Sequence, residues 1–370
     1  MKVKIIGFYL PQFHTIPEND EWWGIGFTEW TNVKKGFVYA KGQEQPRIPL
    51  NNNYYDLSKV DTLKWQANLM AQYDIFGQCI YHYWFDGKLL LEKPAELLLA
   101  NKDIKMNFCF CWANEPWSRT WDGRNNSVLM PQRYGDINDW RKHFDYLLPF
   151  FKDERYIKVD ECPMFVIYKS ASIKNCREMM SCWIEWSQEA GFQGIHFVET
   201  LRGTDNETRE LPYKARVEFE PLRTNFKRSG MELNFRRIKR RVIKLFNKML
   251  GTSIPHNTPW SYNNVASRSL RNLSPKGTYG GAFVGWDNTA RKGLASTVVL
   301  PPTKEEFEDY LRKKIKITTE VYNTDMVFIN AWNEWSEGTY LEPDTIHRYD
   351  YLEAVRNVVN EHEDKRKNLE

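Results

Sequence analysis

MVFINAWNEWSEGTYLEP (326–343) starts as a run of apolar β-formers and ends in a cluster of Trp, Asn and Glu. The run Met326–Trp332 fits a buried strand, and the residues after it carry no helical period. Reactive side chains delivered from the C-terminal end of a strand are what a parallel α/β architecture provides. Outward from this stretch the pattern returns seven times, at Val3–Leu10, Ile75–Trp84, Asn107–Trp112, Pro163–Tyr168, Gly194–Thr200, Ala215–Phe219 and Tyr279–Trp286. Helical spacing fills much of the intervening chain, at about 59–73, 137–151, 174–190, 304–322 and 350–362. Strands alternating with helices make βαβ units and a parallel sheet.

A doubly wound sheet is the rival of a closed barrel. Eight strands, with unusual residues after nearly every one rather than at a single Gly-rich turn, favour a (β/α)8 TIM barrel. The expectation is one α/β domain over 1–362, with loop elaborations at about 11–58 and 201–278, and a charged C-terminal tail at 363–370.

Composition narrows the function. The chain has 370 residues, 42% hydrophobic and 27% charged, enough apolar material for a large core. Aromatic residues reach 15% and many stand beside Asn, Glu, His and Gly, a placement that suits a wet aromatic cleft. The net charge of +4 is too small for a general nucleic-acid footprint, so no nucleic-acid partner is expected. No apolar stretch is long enough to span a bilayer, and the N-terminal run lacks the pattern of a cleaved leader. Cys79, Cys109, Cys111, Cys162, Cys176 and Cys182 include no C-x-x-C pair and read as reduced thiols of a cytoplasmic protein.

Glu334 and Glu337 stand three apart at the proposed C-terminal rim, beside Trp332 and Trp335. Two carboxylates within an aromatic wall can have their pKa values driven apart, leaving one neutral acid and one charged base. Glycosidic cleavage needs that pair, one group to protonate the leaving oxygen and one to support the oxocarbenium-like centre. The bland alternative is a helix cap and a solvated acid. Other rims strengthen the first reading: His14 follows strand one, His82 and Trp84 strand two, Asn114 and Glu115 strand three, and Trp286 and Asp287 strand seven. Strands five and six end near Glu199, Glu218 and Glu220. Aromatic rings cover the CH faces of sugars while amides and carboxylates bind their hydroxyls, so His14, His82, Trp84, Asn114, Glu115, Trp286, Asp287, Asn333 and Trp335 are assigned to a sugar-binding wall. G-x-S-x-G, G-x-x-x-x-G-K-[ST], H-E-x-x-H and D-x-D patterns are missing, and the histidines lack ligand spacing; neither a metal nor a cofactor is expected.

The phrases FYLPQFHTIPENDEWWGIGFTEWTNVKK (8–35), QPRIPL (45–50), YHYWFDGKLLLEKP (81–94), FCWANEPWSRTWDG (110–123), GWDNTARKG (285–293) and FINAWNEWSEGTYLEPD (328–344) resemble the WbsX-like family. That family is similar to glycoside hydrolase family 99 and is typically encoded with bacterial O-antigen and capsule biosynthesis. The resemblance runs from about residue 3 to 358 and implies a (β/α)8 barrel, no metal, and retention of anomeric configuration. It further implies Glu337 as general acid/base on the leaving oxygen. Glu334 would be the base on the sugar 2-hydroxyl, giving a 1,2-anhydro sugar intermediate. Ser336 stands where the endo-α-mannosidases of family 99 have His, which leaves the sugar open. The expected activity is a retaining glycoside hydrolase or transglycosylase on a bacterial surface polysaccharide or its lipid-linked precursor. WbsX-like proteins are also labelled glycosyltransferases, which keeps an activated sugar donor as the alternative; a silent glycan-binding module is the third reading.

Between Arg223 and Lys248 ten Lys/Arg face the single acid Glu232. Within 234–250, Phe235, Ile238, Val242, Leu245, Phe246 and Met249 make a helical stripe opposite Arg236, Arg237, Lys239, Arg240, Arg241, Lys244 and Lys248. Such a basic amphipathic helix suits an anionic lipid surface or a phosphate-rich glycan, and the expectation is a barrel held peripherally at the inner face of the membrane. A helix packed on the barrel with a solvated basic face is the alternative.

Overall fold

The apolar runs become strands because both of their faces are covered, one by the barrel interior and one by the helix layer. The computed structural model describes residues 2–118, 128–203, 207–226 and 230–367. Residues 119–123 of the third rim phrase and 368–370 of the tail lie outside them. The barrel strands are β1 (Lys4–Tyr9), β2 (Gly77–Phe85), β3 (Asn107–Trp112), β4 (Cys162–Ile167), β5 (His196–Leu201), β6 (Ala215–Glu218), β7 (Thr278–Phe283) and β8 (Met326–Asn330). Neighbours pair in parallel around the ring, and β1 closes it against β8 with Lys4 opposite Met326 and Ile5 opposite Val327. All eight expected runs are strands of one closed barrel.

The helices of eight residues or more are α1 (Val60–Gln72), α2 (Lys93–Ala100), α3 (Ile137–Phe151), α4 (Cys176–Glu189), α5 (Gly230–Leu250), α6 (Tyr262–Arg271), α7 (Lys304–Lys316) and α8 (Asp350–Lys367). Their starts follow local chemistry: the Asp136 carboxylate caps α3 by accepting from the Asn138 and Asp139 amides, and Thr303 and Glu306 form a capping box on α7. Helices α2 and α6 carry too short a period to be read from sequence. No helix separates β5 from β6 among the described residues.

Two boundaries differ from expectation. α8 continues to Lys367 instead of yielding to a tail at 363, because the charges of that segment pair along or across helices, Lys365 with Glu361 at 2.7 Å and Arg312 with Glu361 at 2.8 Å. β7 stops at Phe283, and Trp286–Asp287 turns into a small antiparallel ribbon with Val298–Val299. Gly285, at φ 80°, makes that break in a conformation a β-branched residue would resist.

Alternation along each strand decides what the interior contains. On β1, Tyr9 points out and its hydroxyl donates to Gln66 of α1, whereas Phe8 points in and packs against Tyr81, Phe219 and Phe328 at ring separations of 5.9, 5.0 and 5.6 Å. On β2, Gln78 reaches outward to Met70 of α1, so Cys79, Tyr81 and Tyr83 share the inner face. All six cysteines are free thiols.

Candidate active site

Glu334 and Glu337 leave the C-terminal end of β8 on a tight turn, Asn333–Glu334 pairing with Thr339–Tyr340 and Trp335–Glu337 forming one 3-10 turn between them. Gly338 closes the turn at φ 60°, and a Cβ there would come within 2.9 Å of the Asp287 backbone. The two acids sit in unlike surroundings. Glu334 is 9% exposed at its side chain and Glu337 21%, so the first is enclosed and the second meets solvent.

One guanidinium joins them. Arg291, from the loop after β7, places Nη1 2.8 Å from Glu337 Oε1 and Nη2 3.6 Å from Glu334 Oε2. Its other edge is held by Glu29 of the short helix Glu29–Val33, with Nε and Nη2 each 2.7 Å from Oε1. Burial alone would lower the Arg291 pKa, but Glu29, Glu337 and Glu334 outweigh it and keep the cation charged.

The surroundings of Glu334 perturb its titration. Burial pushes its pKa up to about 8; Arg291 opposes, and the charges of Glu337 and Glu29 add to the rise. Its Oε2 is buried with no hydrogen-bond donor among the described residues, so it has capacity for a ligand hydroxyl. Tyr81 and Tyr83 stand near it on the inner face of β2, their hydroxyls held well above the phenol range by burial and then by the Glu334 charge. Trp117 packs edge-on to Tyr83 at 5.1 Å, and Trp22 edge-on to Trp117 at 5.7 Å. Farther along, Tyr168 lies under the Arg202 guanidinium at 4.2 Å, and Arg202 reaches Glu115 at 3.4 Å.

The residues expected in a sugar wall fall into two groups. Glu115, paired with Lys169 and Arg202, and the half-buried Trp286 remain near the surface of the rim. The others are turned into the protein. His82 and Trp84 alternate with Tyr81 and Tyr83, so they face the helices: His82 Nε2 is 2.8 Å from His143 Nε2 of α3, and Trp84 stacks on His143 at 4.5 Å. Trp84 also donates to Asp139, at 3.2 Å. Asn114 bridges the Lys169 backbone, and Asn333 bridges both backbone groups of Leu10. Trp335 stacks on Tyr340 at 3.8 Å and donates to Glu342 at 2.7 Å, behind the turn. Asp287 accepts from Gln43 and Thr289. His14 is buried, and its ring nitrogens find no hydrogen-bond partner among the described residues.

Of the other strand-end acids, Glu218 faces α7 in a buried network with Lys314, Tyr322 and Ser274, each at 2.8 Å. Glu220 is spent on Thr224, and Glu199 accepts from Arg216 at 3.0 Å. Sequence reasoning passed over Glu29, Arg291, Tyr81 and Tyr83, although all four lie inside the phrases that carry the family resemblance. Ser336 is wholly buried and donates to the Glu29 carbonyl at 3.4 Å, so it ties the acid turn to the Glu29 helix. No group of three or more His, Cys, Asp or Glu among the described residues is arranged to hold a metal ion.

Solved structures share this architecture. The endo-alpha-mannosidase of glycoside hydrolase family 99 from Bacteroides thetaiotaomicron superposes with a TM-score of 0.55 over 98% of both chains at 13% identity. A glycoside hydrolase-like protein matches equally, at 0.55 and 13% identity over 97% of this chain and 94% of that one. At such identity the likeness speaks for the fold alone: a (β/α)8 barrel of the family 99 type, here with a carboxylate pair at the end of its last strand. The chain belongs to the family described as Glycosyltransferase WbsX, whose model matches residues 5–355. It is 32% identical to the uncharacterized protein WxcX of Xanthomonas campestris pv. campestris in two strains, over 96% of this chain and 49% of the relative. The chain thus spans about half the length of the curated relatives it matches.

Proposed function

We propose that the protein is a retaining glycoside hydrolase or transglycosylase acting on a bacterial surface polysaccharide, O-antigen or capsule, or on its lipid-linked precursor. The observation that carries this reading is the pair Glu334 and Glu337 on one guanidinium, the first enclosed and the second open to solvent. The similarity to a family 99 endo-alpha-mannosidase makes α-mannosides the first substrates to try. In the mechanism drawn from that resemblance, Glu334 takes the proton of the 2-hydroxyl as O2 closes on C1. Glu337 meanwhile protonates the departing oxygen. Water or a sugar hydroxyl then attacks C1 and opens the 1,2-anhydro ring, its proton passing to Glu337 while Glu334 returns its proton to O2, and hydrolysis and transfer differ only in that acceptor. A base with a pKa of about 8 is well matched to its task near neutral pH.

A specific observation favours the reverse assignment as a second reading. Burial raises the Glu334 pKa to about 8, which favours its protonated form at neutral pH, while Glu337 is ion-paired to Arg291. Leaving-group dependence separates the two. The variant that lacks the acid retains turnover of an aryl glycoside with a good leaving group, whereas the variant that lacks the base loses both substrates. Glu337→Gln is expected to be the spared one.

The enzyme class is tested with oligosaccharides of the source strain, α-mannosides and heavy-oxygen water, read by mass spectrometry beside Glu337→Gln. Label in a new reducing end, absent with the variant, supports the hydrolase; a longer glycan without label supports transfer. The family's name supports the other reading, a glycosyltransferase with an activated donor. No cleavage or transfer, together with micromolar calorimetric binding of a nucleotide sugar, would replace our reading with that one.

A further inference from the structure

Helix α5 presents its apolar stripe to solvent. Ile238, Val242, Leu245 and Met249 recur at intervals of four, three and four residues, with Phe246 beside them, and so lie on one face. Their exposures are 60, 59, 58 and 73%, values that leave the stripe uncovered by the barrel. The opposite side is the attached one. Ile243 and Asn247 are half-buried; Asn247 accepts from the Ile254 amide at 3.0 Å, and Arg240 donates to Asn257 at 2.8 Å. Asn257 in turn donates to the Ser296 carbonyl in the loop that also carries Arg291. The helix therefore rests on this edge against the 254–257 segment, which in turn bonds the β7–α7 loop, and turns its apolar stripe away.

Charge defines what the stripe fits. Lys239 borders it on one side and Arg241, Lys244 and Lys248 on the other, all exposed, and the 21 residues of α5 extend about 30 Å. The side chains of Phe235, Arg236 and Arg237 lie outside the described set. Together with burial, Arg240 and Lys244 lower the pKa of nearby His256, a sign of a concentrated positive field. A protein partner would need acids on both sides of a hydrophobic groove, whereas an anionic bilayer offers both features at any orientation around its normal. Long basic side chains bordering the stripe can bury their stems while their charges stay at the headgroups. No helix among the described residues is long and apolar enough to cross a membrane, which leaves contact along the surface.

We propose that α5 docks the protein on an anionic lipid surface, with Ile238, Val242, Leu245, Phe246 and Met249 entering the acyl boundary and Lys239, Arg241, Lys244 and Lys248 at the headgroups. This holds whatever reaction the barrel performs.

The test is flotation of the full chain with vesicles of pure phosphatidylcholine or of phosphatidylcholine with about 30% phosphatidylglycerol. Each basic side chain near such a surface is worth roughly fivefold in partitioning, so the anionic vesicles should bind at least about tenfold better, and 0.5 M salt should weaken them. The double variant Lys244→Glu/Lys248→Glu is expected to lose about tenfold or more, and Leu245→Asp/Met249→Asp to lose binding to both vesicle types. Unchanged melting temperatures would show that these exposed changes leave the barrel folded. Equal binding to both vesicle types, none to either, or binding that survives the apolar double variant overturns the proposal. A concentration-dependent dimer that the apolar variant abolishes, with no vesicle binding, would assign the stripe to a second copy instead; tight binding to duplex DNA without vesicle binding would assign the charges to nucleic acid.

Discussion

Arg291 Nη1 stands 2.8 Å from Glu337 Oε1, although the two residues leave the barrel after different strands. The same cation neutralises Glu29, whose carboxylate is fully buried. Removing the guanidinium would leave that charge uncompensated, a loss of about 3–5 kcal/mol for a buried pair. Arg291→Met is therefore expected to lower stability by that order in chemical denaturation, and Glu29→Gln/Arg291→Met to recover part of it. Arg291→Lys should fold better yet turn over on the order of a hundredfold more slowly, because an ammonium cannot span both glutamates.

Stability should peak near pH 6–7 and fall on both sides. Glu334 and Glu342, raised by burial from 4.5 to about 8 and about 7, bind protons more tightly in the folded chain. Their contribution is complete below 4.5 and is lost as pH rises through those folded values. His82 and His196, lowered by burial from 6.5 to about 3 and about 4, act in the opposite direction together with His14 and His143, also lowered by burial; the four outnumber the two acids, so stability falls as pH drops below 6.5. Urea denaturation at pH 5, 6.5 and 8.5 checks both limbs. Glu334→Gln/Glu342→Gln should flatten the alkaline limb and steepen the fall between pH 6.5 and 5, because the opposing acids are gone.

Activity tests the placement of the two β2 faces. Tyr83→Phe removes a hydroxyl close to Glu334 and is expected to alter kcat or KM about tenfold or more with little change in Tm. His82→Phe breaks the pair with His143 on the helix side, and should cost about 1–3 kcal/mol of stability while leaving KM within about twofold. A large KM effect at His82 would place it in contact with the sugar after all.

Trp335→Phe makes the same separation on the carboxylate turn. It keeps the stacking on Tyr340 but deletes the donor to Glu342, so a loss of about 1–3 kcal/mol is expected with KM nearly unchanged. A rise in KM at constant stability would contradict its place behind the turn.

The strands, their number and the position of Glu334 and Glu337 at a strand end were legible from sequence, because each rests on local pattern: apolar runs of strand length, helical spacing, and a polar phrase abutting a run. The expected sugar wall was legible only as a set of phrases. Within YHYW (81–84) every residue is aromatic, so composition cannot tell the inner face from the outer; barrel closure puts Tyr81 and Tyr83 inside and His82 and Trp84 against α3. Asn333 and Asn114 look like sugar ligands until the fold presents them with unpaired backbone groups at Leu10 and Lys169.

By itself the sequence determined the barrel, the acid pair and the amphipathic character of α5, all properties of short stretches of chain. Only the tertiary structure decided that Glu29 and Arg291, 262 positions apart, meet at that pair, and which face of each strand looks inward. The physical reason is that a pKa and a ligand-facing surface arise from burial and from charges brought together through space, which no local spacing encodes.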